Sequence, residues 1–215
     1  AQRLTRIVDA EEPTLTQDGQ IKIKMERGCL CGSDSPLFDY DLNEVLDEAH
    51  RNPEKRRSIP FIDYDTDPYP MRVGQSIHEC LGTIVESTSP RFKEGDFVLA
   101  LPNAHDGLVE YMVAAANRAI HLPKDAVRKE EILMTQPLGT VIWACQKLGN
   151  LLDQDVVIAG QGPMGLMFTH MIANLGAKSV IALDKIDSRL EVSRRMNATH
   201  TVNVAQQDAV QAIRE

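Results

Sequence analysis

Cysteine is scarce in this chain: Cys29, Cys31, Cys80 and Cys145 are the only four among 215 residues. So few thiols, so scattered, exclude a disulfide framework and leave reduced side chains, one of them a candidate metal ligand. Long apolar runs are lacking too, and none approaches the length of a membrane span. The opening Ala1-Gln2-Arg3-Leu4-Thr5-Arg6 has no apolar core of signal-peptide length, which predicts a cytoplasmic protein with no membrane partner. Positive charge is in deficit, with 23 basic against 31 acidic residues and a net charge of -8. That balance disfavours nucleic acid or an anionic surface as the main partner and suits a small polar substrate. There is no internal repeat and no low-complexity tract. The 43% hydrophobic and 25% charged residues that remain are those of an ordinary soluble chain, able to bury one generous core or two modest ones.

The chain reads as two halves. Residues 1–125 carry short alternating stretches closed by turn residues: Ile21 to Met25, Gly82 to Glu86 and Asp96 to Ala100. This pattern predicts a β-rich, barrel-like domain. Within it Leu42, Val45, Leu46 and Ala49 recur at helical spacing until Pro53 stops them, which predicts a helix on an extended loop. In residues 126–215 the periodicity lengthens, with Ile132 to Leu148 reading as one or two buried helices. A strand at Asp155 to Ala159, a helix at Met164 to Leu175, a strand at Ser179 to Leu183, a helix at Ser188 to Met196 and a strand at Thr201 to Val204 then form a β-α-β-α-β series. Such alternation marks a parallel sheet and an α/β domain.

Between the first of these strands and its helix stands Gly160-Gln161-Gly162-Pro163-Met164-Gly165, a G-x-G-x-x-G sequence. The first glycine permits a tight turn, the second lets backbone approach a pyrophosphate, and the third lets helix pack on strand. The free N–H groups of the helix start, that of Met164 among them, would then face the phosphates. Asp184 ends the second strand, where a carboxylate accepts hydrogen bonds from the adenosine ribose. The same carboxylate repels a 2′-phosphate, so NAD is preferred to NADP, while Lys185 and Arg189 nearby keep the second cofactor open.

Two further motifs, Gly28-Cys29-Leu30-Cys31-Gly32-Ser33-Asp34 and Ile77-His78-Glu79-Cys80-Leu81-Gly82, bring thiol, imidazole and carboxylate groups into short stretches. Taken singly, each has a plain reading as a buried thiol or a solvated turn. Their order changes that. Cys31-Gly32-Ser33-Asp34, His78-Glu79, Lys93 to Val98, Gly107 to Tyr111 and the glycine fingerprint follow one another as they do in medium-chain, zinc-type alcohol and polyol dehydrogenases, and the chain resembles the sorbitol branch of that family.

The resemblance implies a GroES-like barrel domain followed by the first half of a Rossmann domain, with the active site in the cleft between them. It also implies the site residues. Cys31 and His78 would be ligands of one catalytic zinc, and Glu79 a third ligand or a carboxylate beside the metal. Ser33 would hold the substrate oxygen and pass on its proton. Gly160, Gly162, Pro163, Met164, Gly165, Asp184 and Arg189 would bind NAD. The implied function is a zinc- and NAD-dependent oxidoreductase moving hydride between nicotinamide and a polyol, sugar or other secondary alcohol, homo-oligomeric at full length. The alternative is a non-catalytic dinucleotide-binding relative, a redox sensor or scaffold.

Four departures from the family pattern stand beside the matches. Gln136 occupies the segment where many members supply a third ligand, and it is a poor zinc ligand. Pro36 stands where many carry a relay histidine. Leu101 to Gly107 lacks the four cysteines of a structural zinc, so no second zinc is expected. Finally, 46 residues separate Cys31 from His78, and the surplus, Asp41 to Tyr69, is expected to form a partly mobile lobe at the cleft mouth that governs substrate range. Its Asp63, Asp65 and Asp67 read as a solvated acidic loop, since the glycine and glutamate of a calcium loop are missing. Glu215 falls inside the helix after the third strand of the α/β unit, which predicts a part of a longer protein; a short form completing its sheet with another subunit is the alternative.

Overall fold

The computed structural model describes residues 5–55, 68–69, 71–125 and 128–214. The chain divides into two compact units, Ala1–Leu133 and Met134–Glu215. Among the described residues no helix is long and apolar enough to cross a membrane.

The first unit is built on an antiparallel sheet of five strands, β1 (Gln20–Cys29), β2 (Glu79–Ser87), β3 (Phe97–Ala100), β4 (Tyr111–Ala115) and β5 (Ala119–His121), in the order β4-β1-β2-β3-β5. Its ladder is open among the described residues, with β4 and β5 at the two edges, so the expected barrel is seen as a sheet of that strand order. Period-two alternation drives Ile21 and Ile23 inward, where they meet Cys80, Ile84, Val98, Met112 and Ala114 in one buried cluster. Lys22, also buried, is paired with Glu12 at 2.5 Å. A charge is tolerated there because it is compensated.

Between β1 and β2 run α1 (Ser35–Asp39) and α2 (Leu42–Arg51). Helix α2 starts where Asp41 accepts a hydrogen bond from the Asn43 N–H at 3.0 Å, an ordinary N-cap. It buries Leu42, Leu46 and Ala49, the stripe its periodicity predicts. Residues 56–67, including Asp63, Asp65 and Asp67, lie outside the described residues. Helix α3 (Lys129–Leu133) is tied to β1 by Lys129 on Glu26 and by Arg27 on Glu130 at 3.1 Å. These pairs, with the Thr83 hydroxyl donating to Glu26 at 2.6 Å, hold the Glu26 carboxyl below its ordinary range, Lys129 first and Thr83 second.

The second unit begins with α4 (Thr135–Cys145) and continues as β6 (Asp155–Ala159), α5 (Pro163–Asn174), β7 (Ser179–Asp184), α6 (Asp187–Arg195), β8 (His200–Asn203) and α7 (Ala209–Arg214). The three strands are parallel in the order β6-β7-β8, the arrangement predicted from the alternation of strand and helix. Val141 and Cys145 of α4, Ile158 of β6, Ile172 of α5 and Val180 of β7 form its core.

Candidate metal centre and dinucleotide loop

Antiparallel pairing sets Gly28 of β1 opposite Cys80 of β2, and Cys29 opposite Glu79. The chain leaving β1 therefore carries Cys31 past the entrance to β2, where His78 and Glu79 stand. One ligand atom from each of Cys31, His78 and Glu79 falls within 4.8 Å of the others. Tetrahedral zinc, with bonds of about 2.0 to 2.3 Å, spaces its ligands about 3.6 Å apart, so closing on the ion takes shifts on the order of an ångström. A thiolate and a carboxylate also cancel the two charges of the cation, which suits a site where Glu79 is only 3% exposed. The donor set fits zinc.

The other thiols nearby sort themselves by environment. Cys80 is fully buried in the core, and burial above all, with the negative charges of Asp106, Glu79 and Asp34, pushes its thiol up to about 12. Burial and Glu79 likewise raise Cys29. Neither is suited to give up its proton at neutral pH.

Asp34, 4% exposed, braces the cluster. Its Oδ2 accepts the Cys31 N–H at 2.7 Å, its own N–H donates to the Cys31 carbonyl at 3.0 Å, and its Oδ1 lies 3.8 Å from His78 Nδ1. One carboxylate thus fixes the backbone of the thiol and faces the imidazole across a gap longer than a hydrogen bond. Ser33 Oγ is buried with no hydrogen-bond partner among the described residues. An unmet buried hydroxyl is unfavourable until something bonds to it, so this one is set to receive a bound group. Pro36 stands in the first turn of α1, where its missing N–H costs nothing.

In the second unit β6 ends at Ala159, Gly160 turns the chain with φ of +90°, and α5 starts at Pro163. A Cβ at Gly165 would lie 1.8 Å from the Gly160 carbonyl oxygen, so the helix sits on the loop at a separation only glycine allows. At Gly162 a Cβ would meet nothing within 4 Å. Open space lies above the loop there. Gln161, between the two glycines, is fully buried. Its N–H donates to Asp184 Oδ2 at 2.6 Å, its amide to the Ile158 carbonyl at 3.3 Å, and its Oε1 accepts the Thr169 hydroxyl at 2.9 Å.

Asp184 ends β7 at 8% exposure. Its Oδ1 accepts the Ile186 N–H at 2.9 Å, and the Arg189 guanidinium lies 3.8 Å from Oδ2. Burial alone would raise this carboxyl; the N–H groups of Gln161, Ile186 and Lys185, aided by Arg189, outweigh it and hold the group below its ordinary value. The side chain is ionised at neutral pH. Each oxygen offers more than one lone-pair direction, which leaves capacity for a diol. Pro163, Met164 and Arg189 are exposed around this loop.

Geometry thus gathers Cys31, His78 and Glu79 in the first unit, and Gly160 to Gly165 with Asp184 and Arg189 in the second. Gln136 lies in the first turn of α4, in the second unit. Sequence reasoning assigned no role to Asp34, Gln161 or His105. The His105 ring lies edge-on to His78, with centroids 5.3 Å apart and planes at 75°. Burial pushes the His105 imidazole down, and His78 and Arg118 add to that.

No family model matches the chain. In sequence it is 26% identical to the L-threonine 3-dehydrogenase of Shewanella sp. (strain MR-7) over 237 aligned residues, which cover 97% of this chain and 62% of that protein. In fold it matches galactitol-1-phosphate dehydrogenase from Escherichia coli with a TM-score of 0.73 at 20% identity, over 98% of this chain and 61% of the other. It also matches an alcohol dehydrogenase from Escherichia coli CFT073, solved with NADH, with a TM-score of 0.72 at 21% identity, over 99% of this chain and 63% of the other. The chain therefore spans about 62% of the length of the curated relatives it matches. These relatives bear out the resemblance to medium-chain dehydrogenases that the motifs carry.

Proposed function

We propose that the chain is part of a zinc- and NAD-dependent oxidoreductase acting on a polyol, sugar or other secondary alcohol, or on the matching carbonyl compound. The observation that supports this most is the convergence of Cys31, His78 and Glu79 at the junction of β1 and β2, on a chain that also carries a braced glycine loop and an ionised Asp184. Cys31, His78 and Glu79 would hold the metal. Zinc bound by three protein ligands polarises an alcohol or carbonyl oxygen and favours loss of the alcohol proton near neutral pH. The nicotinamide supplies or accepts the hydride.

The chain's own residues do the rest. The Ser33 hydroxyl accepts the substrate proton as it hands its own on to water, since Pro36 gives the chain no imidazole two residues beyond Asp34 to take it. Asp34 keeps the Cys31 backbone in place while the substrate enters and leaves. The N-terminus of α5 and the loop over Gly160 to Gly165 bind the pyrophosphate, and the Asp184 carboxylate accepts the ribose hydroxyls. Full-length protein should carry about one zinc per chain and reduce NAD with at least one member of a panel of polyols, sugars and secondary alcohols. Two metals per chain, or none together with no turnover across the panel, would overturn the assignment.

Cofactor choice follows from Asp184. A carboxylate facing a 2′-phosphate costs at least about 1.4 kcal/mol, so NAD should bind at least about tenfold tighter than NADP. Arg189 is already engaged with Asp184 and is a weak offset. Fluorescence titration of both cofactors checks this. Equal affinities, or a preference that survives Asp184→Ala unchanged, would show that another residue selects the cofactor.

A further inference from the structure

We propose that His105 is a positioning residue for the metal ligand His78, acting through the edge-to-face contact of the two rings. The inference rests on the zinc reading of Cys31, His78 and Glu79.

The ring geometry, 5.3 Å between centroids at 75°, lies in the range where such pairs attract. More telling is how the backbone produces it. Ile77, immediately before His78, has φ of +50°, and His105 has φ of +54°. For a β-branched residue this left-handed conformation is an outlier, and such outliers persist only where the surroundings enforce them.

The enforcement is visible. The Gly107 N–H donates to the carbonyls of Ser76 and Ile77, both at 3.1 Å, and the Leu108 N–H donates to the Gly74 carbonyl at 2.9 Å. Ser76 and Asp106 form a parallel bridge, and the Arg72 guanidinium donates to the Ala104 carbonyl at 3.1 Å. A Cβ at Gly107 would lie 2.4 Å from Cys80 Sγ and 2.9 Å from the Ile77 carbonyl oxygen, so no other residue permits this approach. The segments 74–78 and 104–108 are thus stitched together with a left-handed residue on each. One delivers His78 and the other delivers the ring that meets it.

A ligand ring bounded in this way has fewer orientations to lose when it binds metal. Asp34 Oδ1 faces the Nδ1 edge of His78 at 3.8 Å. His105 limits rotation of its plane. Removing the His105 ring should therefore weaken metal binding without dismantling the sheet. This role needs the ring rather than its nitrogens, and it requires no proton transfer at His105.

The test uses full-length wild-type, His105→Ala and His105→Phe proteins. Three quantities are measured: zinc affinity by chelator competition, the visible ligand-field spectrum of the cobalt(II)-substituted protein, and the melting of the metal-free protein. His105→Ala should raise the zinc Kd by about tenfold or more and shift the cobalt bands, as loss of groups that orient ligands does. His105→Phe should restore the wild-type spectrum and bring Kd back to within about threefold. An unchanged Kd and spectrum in His105→Ala, with or without a lower melting temperature, would overturn the proposal. So would a His105→Phe protein as impaired as the alanine variant, since the ring contact would then not be the cause. Wild-type protein that binds neither zinc nor cobalt would refute the zinc reading itself, a result distinct from either.

Discussion

Replacing Cys31 with alanine is expected to empty the metal centre and to lower kcat/KM of the full-length enzyme by at least about a thousandfold, equivalent to about 4 kcal/mol of transition-state stabilisation. The thiolate is the softest donor of the three and one of only two anionic ones. Without it, His78 and the buried Glu79 would offer one neutral nitrogen and one carboxylate, too few for a closed zinc coordination and one charge short of neutralising it. The neighbouring thiols cannot substitute. Cys80 points into the core with its thiol pushed up to about 12, and Cys29 is raised by burial and by Glu79. Metal analysis alongside kinetics checks the expectation, with Cys145→Ala as the control because that thiol lies in the core of the second unit. Full zinc retention in Cys31→Ala would remove the centre from its assigned place, whatever happened to the rate.

What the sequence made legible, and what it hid, follows from the range of the interactions concerned. The glycine loop could be read because each of its demands is local: a left-handed turn at Gly160, a close approach at Gly165 and a carboxylate at the end of the next strand. Helix α2 could be read because Leu42, Leu46 and Ala49 bury at the spacing their positions dictate. Strand β1 was legible from Ile21 to Met25 but continues to Cys29; the alternation is lost at Arg27 and Gly28, where the ladder shifts register between Met25 and Arg27. That shift decides that Cys29 faces Glu79. The meeting of Cys31 with His78 and Glu79 is thus a product of sheet register, which residue type and spacing do not encode.

The supporting residues were hidden for a related reason. Asp34 stands in a quoted motif, but its part as a brace needs the turn that folds its carboxylate back onto the Cys31 N–H. Gln161 occupies a variable position of the fingerprint and is nonetheless the buried post that ties the loop to Asp184, Ile158 and Thr169. His105 belongs to a segment far along the chain from His78 and reaches it only through the stitched backbone of residues 74–78 and 104–108. Strands β4 and β5 are short edge pieces whose pairing comes from β1 and β3 rather than from their own pattern.

The glycine loop allows a sharper separation between building a site and approaching a ligand. Gly165→Ala places a methyl group 1.8 Å from the Gly160 carbonyl oxygen and 2.9 Å from its carbon, and both are backbone atoms that cannot swing away. Either α5 lifts from the loop or the loop opens, and in both cases the hydrogen bonds of Gln161 to Asp184 and Thr169 are stretched. The cost of such overpacking is about 1–3 kcal/mol of stability. NAD affinity should fall further, by at least about a hundredfold, because the phosphate cradle and the ribose carboxylate are displaced together. Gly162→Ala is the counterpart. Its backbone, at φ of -72°, suits alanine, and the new methyl group meets nothing within 4 Å. This variant should melt like the wild type and yet bind NAD poorly, because the methyl group occupies the space the pyrophosphate needs. Thermal unfolding and NAD titration of the two variants side by side distinguish the roles. A Gly165→Ala protein with wild-type melting and affinity would show that α5 does not rest on Gly160, and a Gly162→Ala protein with wild-type affinity would show that the dinucleotide does not cross the loop at that point.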